Sequence, residues 1–267
     1  MELEVLVATV GQKDLSLAEK MNINCGAVIA NQDDRWEFTR DGDIRMLSSQ
    51  TRGVGINRNY ALSLAEGDVL LFADDDVQYY DGALAGVAEA FRQLPEADVI
   101  FCGIDMTREG QVFDKRRNKT GRVHLWNSLR YGAARMAIRR EAVEKHRLAF
   151  STLFGGGCLY SSGEDTLFIR DCFRAGLKVY AHSLVLGTCA KDASSWFTGF
   201  NEKYMFDKGA WIACAFPHAK CLMKWYFTRK LVKKTTLPKK EVSRLMKQGI
   251  RAFPKGEAYQ AQTKQKV

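Results

Sequence analysis

The stretch Asp68-Val-Leu-Leu-Phe-Ala-Asp-Asp-Asp76 joins an apolar run to three consecutive aspartates. An apolar run without alternating polar residues is typical of a central strand that is buried on both faces of a sheet. The three carboxylates then follow the carboxyl end of that strand, which is where open α/β sheets bind their ligands. The stretch therefore predicts both the class of fold and the edge of the sheet where a site lies.

Strands and helices alternate on both sides of this stretch. We predict strands over residues 4–10, 26–30, 44–48, 68–72, 98–103, 135–138 and 178–185, and helices over 12–22, 56–65, 84–94, 140–147 and 163–176. A β-α-β beginning favours parallel pairing. The pattern therefore predicts an α/β, Rossmann-like fold with a mostly parallel central sheet and flanking helices, whereas residues 105–127 are predicted to be a loop-rich insertion.

Positive charge is concentrated near the end of the chain. The formal net charge is +9, but Lys220 to Lys255 contains 12 basic residues and one acid, Glu241, so this segment carries +11 and the remainder is slightly acidic. We predict a main domain over residues 1–209, with a donor half at about 1–103 and an acceptor half at about 104–209. A basic, amphipathic, helical extension follows over residues 210–267.

This basic extension has three interpretations: a solvated helix, attachment to a membrane surface, or binding of nucleic acid. Trp211, Trp225, Tyr226 and Phe227 lie among its lysines. Aromatic and basic residues together are what an anionic lipid interface favours, so we expect the membrane surface to be the partner. No recognised nucleic-acid module is present, and no nucleic-acid partner is expected.

The beginning of the sequence and its cysteines indicate a compartment. Met1 to Glu4 offers no basic segment of a signal peptide, and no window of 18 residues is apolar and uncharged. The 7 cysteines are scattered and none has metal-binding spacing, which is typical of reduced thiols. We expect a cytoplasmic protein, peripheral at the inner face of the cell membrane.

The three aspartates predict a metal site. Asp74 and Asp76 share a face if the strand continues, while Asp75 points away. Adjacent carboxylates repel one another, and a divalent cation such as Mn²⁺ or Mg²⁺ neutralises them. Such an ion takes one or two carboxylates and completes its coordination with water and phosphate oxygens. The alternative is a solvated acidic loop.

Two further motifs begin helices. Gly163-Glu164-Asp165 precedes an apolar helical face, where the carboxylates are either catalytic or helix caps. Arg58, in Gly55-Ile-Asn-Arg-Asn59, stands near a helix N-terminus, a position that suits a diphosphate. The alternative for Arg58 is an ordinary exposed helical arginine.

In this order, Val5 to Val10, Arg58-Asn59, Asp74-Asp75-Asp76 and Gly163-Glu164-Asp165 resemble the motifs of family 2 of the inverting GT-A glycosyltransferases, particularly its bacterial surface-polysaccharide members. The resemblance spans about Glu4 to Ala190. It implies a GT-A fold and transfer of a sugar, with inversion, from a nucleotide sugar to a hydroxyl of a glycan or lipid-linked glycan.

The resemblance also implies a donor site. Asp74 and Asp76 match the motif for metal and diphosphate, and Asp75 lies between them. Thr9 stands near the position that touches the nucleotide. Asn31 falls where the family often has an aspartate that contacts uracil, so a UDP-sugar is expected, although an uncharged amide makes uridine specificity less secure.

For the acceptor site, Asp165 matches the base that removes a proton from the acceptor hydroxyl. Glu164 beside it and Trp196 in the segment 194–204 are candidates for acceptor contacts, since sugars stack on aromatic rings. His182 is either a third metal ligand or an ordinary core residue.

Two other classes of function are alternatives. If the protein were a nucleotidyltransferase, we would expect a glycine-rich, lysine-bearing phosphate loop after the first strand. The segment at this place, Thr9-Val-Gly-Gln-Lys-Asp14, is short and contains one glycine. If the protein were a non-catalytic membrane-surface or nucleic-acid-binding protein with this fold, we would expect the carboxylates to be lost. Asp74, Asp76 and Asp165 are all present.

Overall fold

The computed structural model describes residues 1–190 and 198–260. Within them the chain forms two compact units. Unit 1 contains residues 1–152 and 164–190, and unit 2 contains residues 153–163 and 198–260.

Unit 1 is built around one sheet with helices on both faces. Its strands are β1 (Leu3–Val10), β2 (Gly26–Gln32), β3 (Glu37–Asp41), β4 (Ile44–Ser49), β5 (Val69–Asp74), β6 (Val77–Tyr79), β7 (Val99–Arg108), β8 (Gln111–Arg116), β9 (Gly121–Arg122), β10 (Met136–Arg139) and β11 (Val179–Ala190). Its α-helices are α1 (Ser16–Lys20), α2 (Val54–Ser63), α3 (Ala83–Gln93), α4 (Arg140–His146) and α5 (Glu164–Arg174). Short 3₁₀ helices span Leu125–Arg130 and Ala133–Arg135. These elements confirm the predicted α/β class.

The order of the strands brings the predicted donor residues to one edge. The sheet runs β3-β4-β2-β1-β5-β10-β7-β11-β6, with β8 on β7 and β9 on β11. Strands β4, β2, β1 and β5 are parallel neighbours, and β10 is antiparallel to both β5 and β7. Since Thr9 pairs with Asn31 and Ala8 with Asp74, the carboxyl ends of three strands meet at this edge.

Strand β5 is buried on both faces, as its apolar run predicts. Leu71 and Ala73 pack into the core on the side of α3, and Leu70 and Phe72 pack into the core on the other side. On that second side Phe72 contacts Phe150 and Phe168 edge to face. The strand is therefore clamped between two apolar layers, and its last residue, Asp74, emerges from the sheet at a fixed place.

The prediction of a loop-rich insertion over residues 105–127 is wrong. Strand β7 continues to Arg108 and turns at Glu109-Gly110 into β8, which pairs with it antiparallel. All side chains of β8 are exposed, so the strand carries no apolar alternation and is held by backbone pairing. The sequence pattern also misses β3, whose side chains are mostly exposed, and it makes α1 too long.

Unit 2 is helical. It contains α6 (Glu202–Ala215), α7 (Lys220–Leu231) and α8 (Lys239–Ala252), with 3₁₀ turns at Val232–Lys234 and Phe253–Lys255. Helices α6 and α8 cross at glycines: a Cβ added to Gly209 would lie 2.1 Å from the carbonyl oxygen of Met246, and one added to Gly249 would lie 1.9 Å from that of Phe206. The backbones therefore touch without intervening side chains.

The aromatic residues of the basic segment do not share one environment. Trp211 and Phe227 are buried in unit 2, where their rings contact each other edge to face, whereas Trp225 and Tyr226 are exposed. The predicted domain boundary at residues 209 and 210 lies within α6. No helix of the described ranges is long and apolar enough to cross a membrane.

Candidate active site

The three aspartates form the turn between β5 and β6. Asp74 ends β5, and Asp75 and Asp76 make the turn. The hydroxyl of Thr9, at the end of β1, donates a hydrogen bond of 2.5 Å to Oδ2 of Asp75. Asp75 is thereby turned toward β1, and it does not share the partners of Asp74.

Asp76 has an unusual protonation equilibrium. Desolvation of its carboxyl group, together with the charge of Asp74, raises the pKa of Asp76 to about 6, against an opposing hydrogen bond with the thiol of Cys189. The backbone of Asp76 is fixed as well, because its carbonyl oxygen accepts from the N–H of Ala190 at 3.1 Å. Asp74 and Asp76 are therefore close enough for their carboxylates to repel each other, and this repulsion favours the protonated form of Asp76.

Arg58, in α2, lies at the centre of the site. Its side chain is only 4% exposed. Nη2 donates to Oδ1 of Asp74 at 2.7 Å, and Nη1 donates to Oδ1 of Asp165 at 2.5 Å and approaches Oε1 of Glu164 at 3.3 Å. One guanidinium therefore joins the end of β5 to the first turn of α5.

The electrostatics of Arg58 are dominated by these carboxylates. Burial alone lowers the pKa of the Arg58 guanidinium, but the charges of Asp165, Asp74 and Glu164 outweigh that effect and raise the pKa above its ordinary value. The guanidinium is thus bound by carboxylates. The sequence pattern instead predicts that Arg58 contacts a diphosphate. This network was missed because Arg58 is 107 residues from Asp165 in the sequence.

Asp165 is both oriented and accessible. Its Oδ1 contacts Arg58, and its Oδ2 accepts from the backbone N–H of Ala133 at 3.0 Å. The side chain remains 27% exposed. The backbone of Gly132 lies close to this carboxylate, since a Cβ at Gly132 would be 3.1 Å from Oδ2 of Asp165. A carboxylate held at both oxygens and open to solvent has the geometry of a general base.

On the nucleotide side, Asn31 is fully engaged within the protein. Its Oδ1 accepts from the backbone N–H of Gln12 at 3.0 Å, and its Nδ2 donates to the carbonyl of Gln12 and to Oγ of Ser48, both at 2.9 Å. In this structure Asn31 therefore fixes the loop after β1.

Asp33, just beyond β2, is a carboxylate that the sequence analysis did not single out. It is buried, and its Oδ2 accepts no hydrogen bond from the described residues, although the Nε of Arg35 lies 3.7 Å away. A hydrogen bond from the backbone N–H of Asp34 is the largest effect that lowers the pKa of Asp33. An ionised, buried acceptor at the end of β2 is suited to an N–H donor from a ligand.

The aspartate turn fits a divalent cation. Within residues 1–190 and 198–260 no three His, Cys, Asp or Glu side chains form a closed metal site. Asp74 and Asp76 offer two hard oxygen ligands, which is the number that Mg²⁺ or Mn²⁺ uses when phosphate oxygens and water supply the rest. His182 contributes nothing here, because its ring nitrogens contact Gln93 Oε1 and the backbone N–H of Leu184.

On the acceptor side, the candidate Trp196 lies outside the described residues. A different tryptophan stands out: Trp126, in the 3₁₀ helix Leu125–Arg130, is 79% exposed and its ring stacks on His124 at 4.5 Å. This 3₁₀ helix packs against α5, which carries Asp165. Trp126 was missed because the stretch 105–127 shows no clear periodicity.

The chain is similar to one protein family and to several solved structures. Residues 26–151 match the model of the glycosyl transferase family 2. The crystal structure of Staphylococcus aureus TarS 1–349 with UDP-GlcNAc has 18% sequence identity and a TM-score of 0.60, and the match covers 88% of this chain and 74% of that TarS chain. The structure of TarS 1–349 with UDP has 16% identity and a TM-score of 0.59, covering 97% and 93%. The search of curated proteins finds no match.

The chain has a GT-A fold. The family match includes Arg58 and all three aspartates of the turn, and it ends before Asp165. Residues 26–151 match glycosyl transferase family 2, which agrees with the resemblance that the motifs indicate, and glycosyl transfer is the class of activity that this match supports.

Proposed function

We propose that this protein is an inverting, metal-dependent transferase that moves a sugar from a UDP-sugar to a hydroxyl of a glycan or lipid-linked glycan in surface-polysaccharide synthesis. The observation that carries the proposal is Arg58, which holds Asp74 and Asp165 on either side of one buried guanidinium. The TarS complexes with UDP-GlcNAc and UDP support uridine as the base, because they share the fold.

On the donor side, Asp74 and Asp76 would hold the divalent cation, which when bound stabilises the charge that develops on the departing nucleoside diphosphate. In the described part of the chain, Arg58 is the cation paired with Asp74 and Asp165, and Asp76 adjoins Asp74, so these three carboxylates exceed the one guanidinium in charge before any metal binds. Asp75 and Thr9 fix the turn, Asn31 fixes the loop after β1, and Asp33 would contact the base.

On the acceptor side, Asp165 takes the proton from the hydroxyl that attacks the anomeric carbon, opposite the leaving nucleotide. One displacement of this kind inverts the anomeric centre. General-base help of this type contributes about 10²–10⁴ in rate. Arg58 and the N–H of Ala133 orient the carboxylate, and Glu164 and the exposed ring of Trp126 would line the acceptor site.

A screen of nucleotide sugars tests this proposal without knowledge of the acceptor. With Mn²⁺ present we expect UDP-sugars to raise the melting temperature, since a ligand at 100 times its Kd stabilises by about 2.7 kcal/mol. Slow hydrolysis should release UDP. Release of pyrophosphate from a nucleoside triphosphate and a sugar phosphate would instead indicate a nucleotidyltransferase, and a chain that binds no nucleotide would contradict the proposal.

We also place the protein at the anionic inner surface of the cell membrane, in the cytoplasm. Leu222, Trp225 and Tyr226 are exposed on α7, and Lys220, Lys224, Arg229 and Lys230 belong to the same helix. Residues four apart lie on one side of a helix, so the apolar residues form a patch within a basic surface. Such a helix binds lipid head groups through its lysines and the acyl boundary through its aromatic rings.

A further inference from the structure

Two arginines of unit 1, Arg130 and Arg135, lie against the ring of Tyr131, and a third, Arg116, lies near Arg135. Arg135 is buried, and its Nη2 donates to the carbonyl oxygen of Arg130 at 3.0 Å while its Nη1 reaches that of Arg116 at 3.5 Å. The guanidinium carbons of Arg135 and Arg130 lie 4.8 and 4.9 Å from the centre of the Tyr131 ring. We call Arg116, Arg130 and Arg135 the arginine cluster.

The arginine cluster lacks a matching negative charge. In the part of the chain that the structure describes, no carboxylate forms an ion pair with Arg130 or Arg135, and Arg116 pairs with the exposed Asp114. The other two buried arginines differ: Arg58 has three carboxylates and Arg45 has Glu4. Desolvation, followed by the charge of Arg116, lowers the pKa of Arg135 to about 10.

A buried cation without a counter-charge is unfavourable, because the penalty of removing it from water is not offset. Two exposed arginines next to a buried one increase that penalty through repulsion. An oxyanion that accepts hydrogen bonds from guanidinium groups would remove it, since phosphate and carboxylate match the arginine fork in geometry and charge.

The position of the arginine cluster indicates which substrate brings this anion. The chain between Arg130 and Arg135 passes the candidate base, where the N–H of Ala133 donates to Asp165. Asp74, at the aspartate turn, is contacted by Arg58 and by no member of the cluster. The backbone between Arg130 and Arg135 therefore contacts the candidate base, which puts the cluster on the acceptor side, whereas the diphosphate of the donor has its own site.

We propose that the arginine cluster binds an oxyanion, phosphate or carboxylate, that the acceptor carries near its reacting hydroxyl. The enzyme would thus prefer anionic glycans or polyol phosphates over neutral glycans. This inference rests on the proposed function, and it adds the charge class of the acceptor. The exposed Trp126, four residues before Arg130, offers a ring for the sugar or polyol part of the same molecule.

The test uses three small probes: glycerol 3-phosphate, glycerate and neutral glycerol. Binding to the full chain is measured by calorimetry in low salt, with UDP and Mn²⁺ at saturation. We expect at least one of the two anions to bind and glycerol not to bind. Arg130→Gln and Arg116→Gln should each weaken binding of the anion at least tenfold. The control is Arg108→Gln, at an exposed arginine that stacks on Phe113, and it should leave anion binding unchanged.

Arg135→Lys tests the buried arginine. If that variant does not fold, Arg130→Gln and Arg116→Gln still test the inference. Anion binding that is unchanged in Arg130→Gln and Arg116→Gln would overturn the inference. Loss of anion binding when UDP and Mn²⁺ are added, with weaker UDP binding in the same variants, would also overturn it, because the cluster would then serve the donor diphosphate. If the wild type binds the anion but never UDP, the proposed function fails and the arginine site stands.

Discussion

Arg58 is the residue on which both halves of the candidate site depend. Replacement by Lys keeps the charge but loses the planar fork, so one ammonium cannot hold Asp74 and Asp165 in the observed arrangement. We expect Arg58→Lys to fold and to lose about 10–100-fold in turnover of the donor, the usual effect of removing a group that orients catalytic ligands.

Arg58→Gln should do more, because Asp74 and Asp165 would then lose the guanidinium that lies between them. Breaking a buried ionic network typically costs about 3–5 kcal/mol, so this variant should melt at a clearly lower temperature. Arg92→Lys, an exposed arginine paired only with Glu89, is the control for both variants. Turnover by Arg58→Lys equal to that of the control would remove Arg58 from the site.

The raised pKa of Asp76 makes a prediction for the metal-free protein. The folded state holds a proton on Asp76 up to a pH of about 6, whereas an unfolded aspartate loses it near its ordinary pKa of 3.8. Folding therefore binds protons between these values, and this residue's contribution to stability falls as the pH rises through them.

In EDTA, Asp76→Asn should accordingly melt at a higher temperature than the wild type at pH 7.5, and the difference should vanish below pH 4. Mn²⁺ with UDP should stabilise the wild type and leave the variant unchanged. Asp34→Asn, at an almost fully exposed carboxyl, is the control. A melting difference that is the same at pH 4 and pH 7.5 would mean that Asp76 does not titrate in this range.

At the residue scale, the sequence predicts the carboxylates but not their partners. Spacing and strand position single out Asp74 and Asp76, and the resemblance to the family adds Asp165. Contacts such as Arg58 with Asp165 join distant segments, and they depend on how α2 and α5 pack, which local pattern does not encode. Asn31 illustrates the same limit, since its amide is engaged by Gln12 and Ser48.

At the scale of elements, the contact between α6 and α8 depends on two glycines. In an exposed helix a Gly→Ala change stabilises by about 0.5–1 kcal/mol, because alanine loses less backbone entropy on folding. At Gly249 the new Cβ would lie 1.9 Å from the carbonyl oxygen of Phe206. We expect the opposite sign here: Gly249→Ala should destabilise by about 1–3 kcal/mol, as overpacked sites do.

The measurement is chemical denaturation of the variant beside Gly121→Ala, where a Cβ would meet no atom within 4 Å. Gly121→Ala should change stability little. If Gly249→Ala proves as stable as the wild type, the close crossing of α6 and α8 is not as the structure has it.

The elements that sequence alone predicts are those with buried apolar faces. Strands β1, β2, β4 and β5 and helices α2, α3 and α5 were predicted within a few residues, because burial imposes a period on their sequences. Strands β3 and β8 were missed because they hold the sheet edge through backbone pairing while their side chains face solvent. Such strands leave little trace in an apolar pattern.

At the scale of the whole molecule, charge is divided along the sequence. The +11 segment lies at the C-terminal end, and the matched motifs lie in the slightly acidic remainder. Each basic residue near an anionic leaflet contributes on the order of 1 kcal/mol, so a few lysines of α7 would hold the protein at such a surface in low salt.

We therefore expect the full chain to sediment with phosphatidylglycerol vesicles at low ionic strength and to be released by salt. The double variant Trp225→Ser/Tyr226→Ser should bind them several-fold less, because it removes the exposed rings of α7. Trp36→Ser is a matched control, since Trp36 is 55% exposed in unit 1 and Trp225 is 53% exposed in unit 2. These point variants are cleaner than truncation after residue 210, which would cut α6 and remove the buried Trp211. If the wild-type protein does not sediment with anionic vesicles, α7 has no role in membrane binding.

The central claim is that one site separates the work of its carboxylates, with Asp76 serving the donor and its metal and Asp165 serving the acceptor. The most direct test measures Mn²⁺-dependent UDP binding and sugar transfer for Asp76→Asn and Asp165→Asn, on the donor that the screen identifies. Asp76→Asn should lose metal-dependent UDP binding and, with it, most transfer. Asp165→Asn should bind UDP like the wild type and transfer about 10²–10⁴ times more slowly. Unchanged UDP binding by Asp76→Asn, or near-normal transfer by Asp165→Asn, would contradict the account.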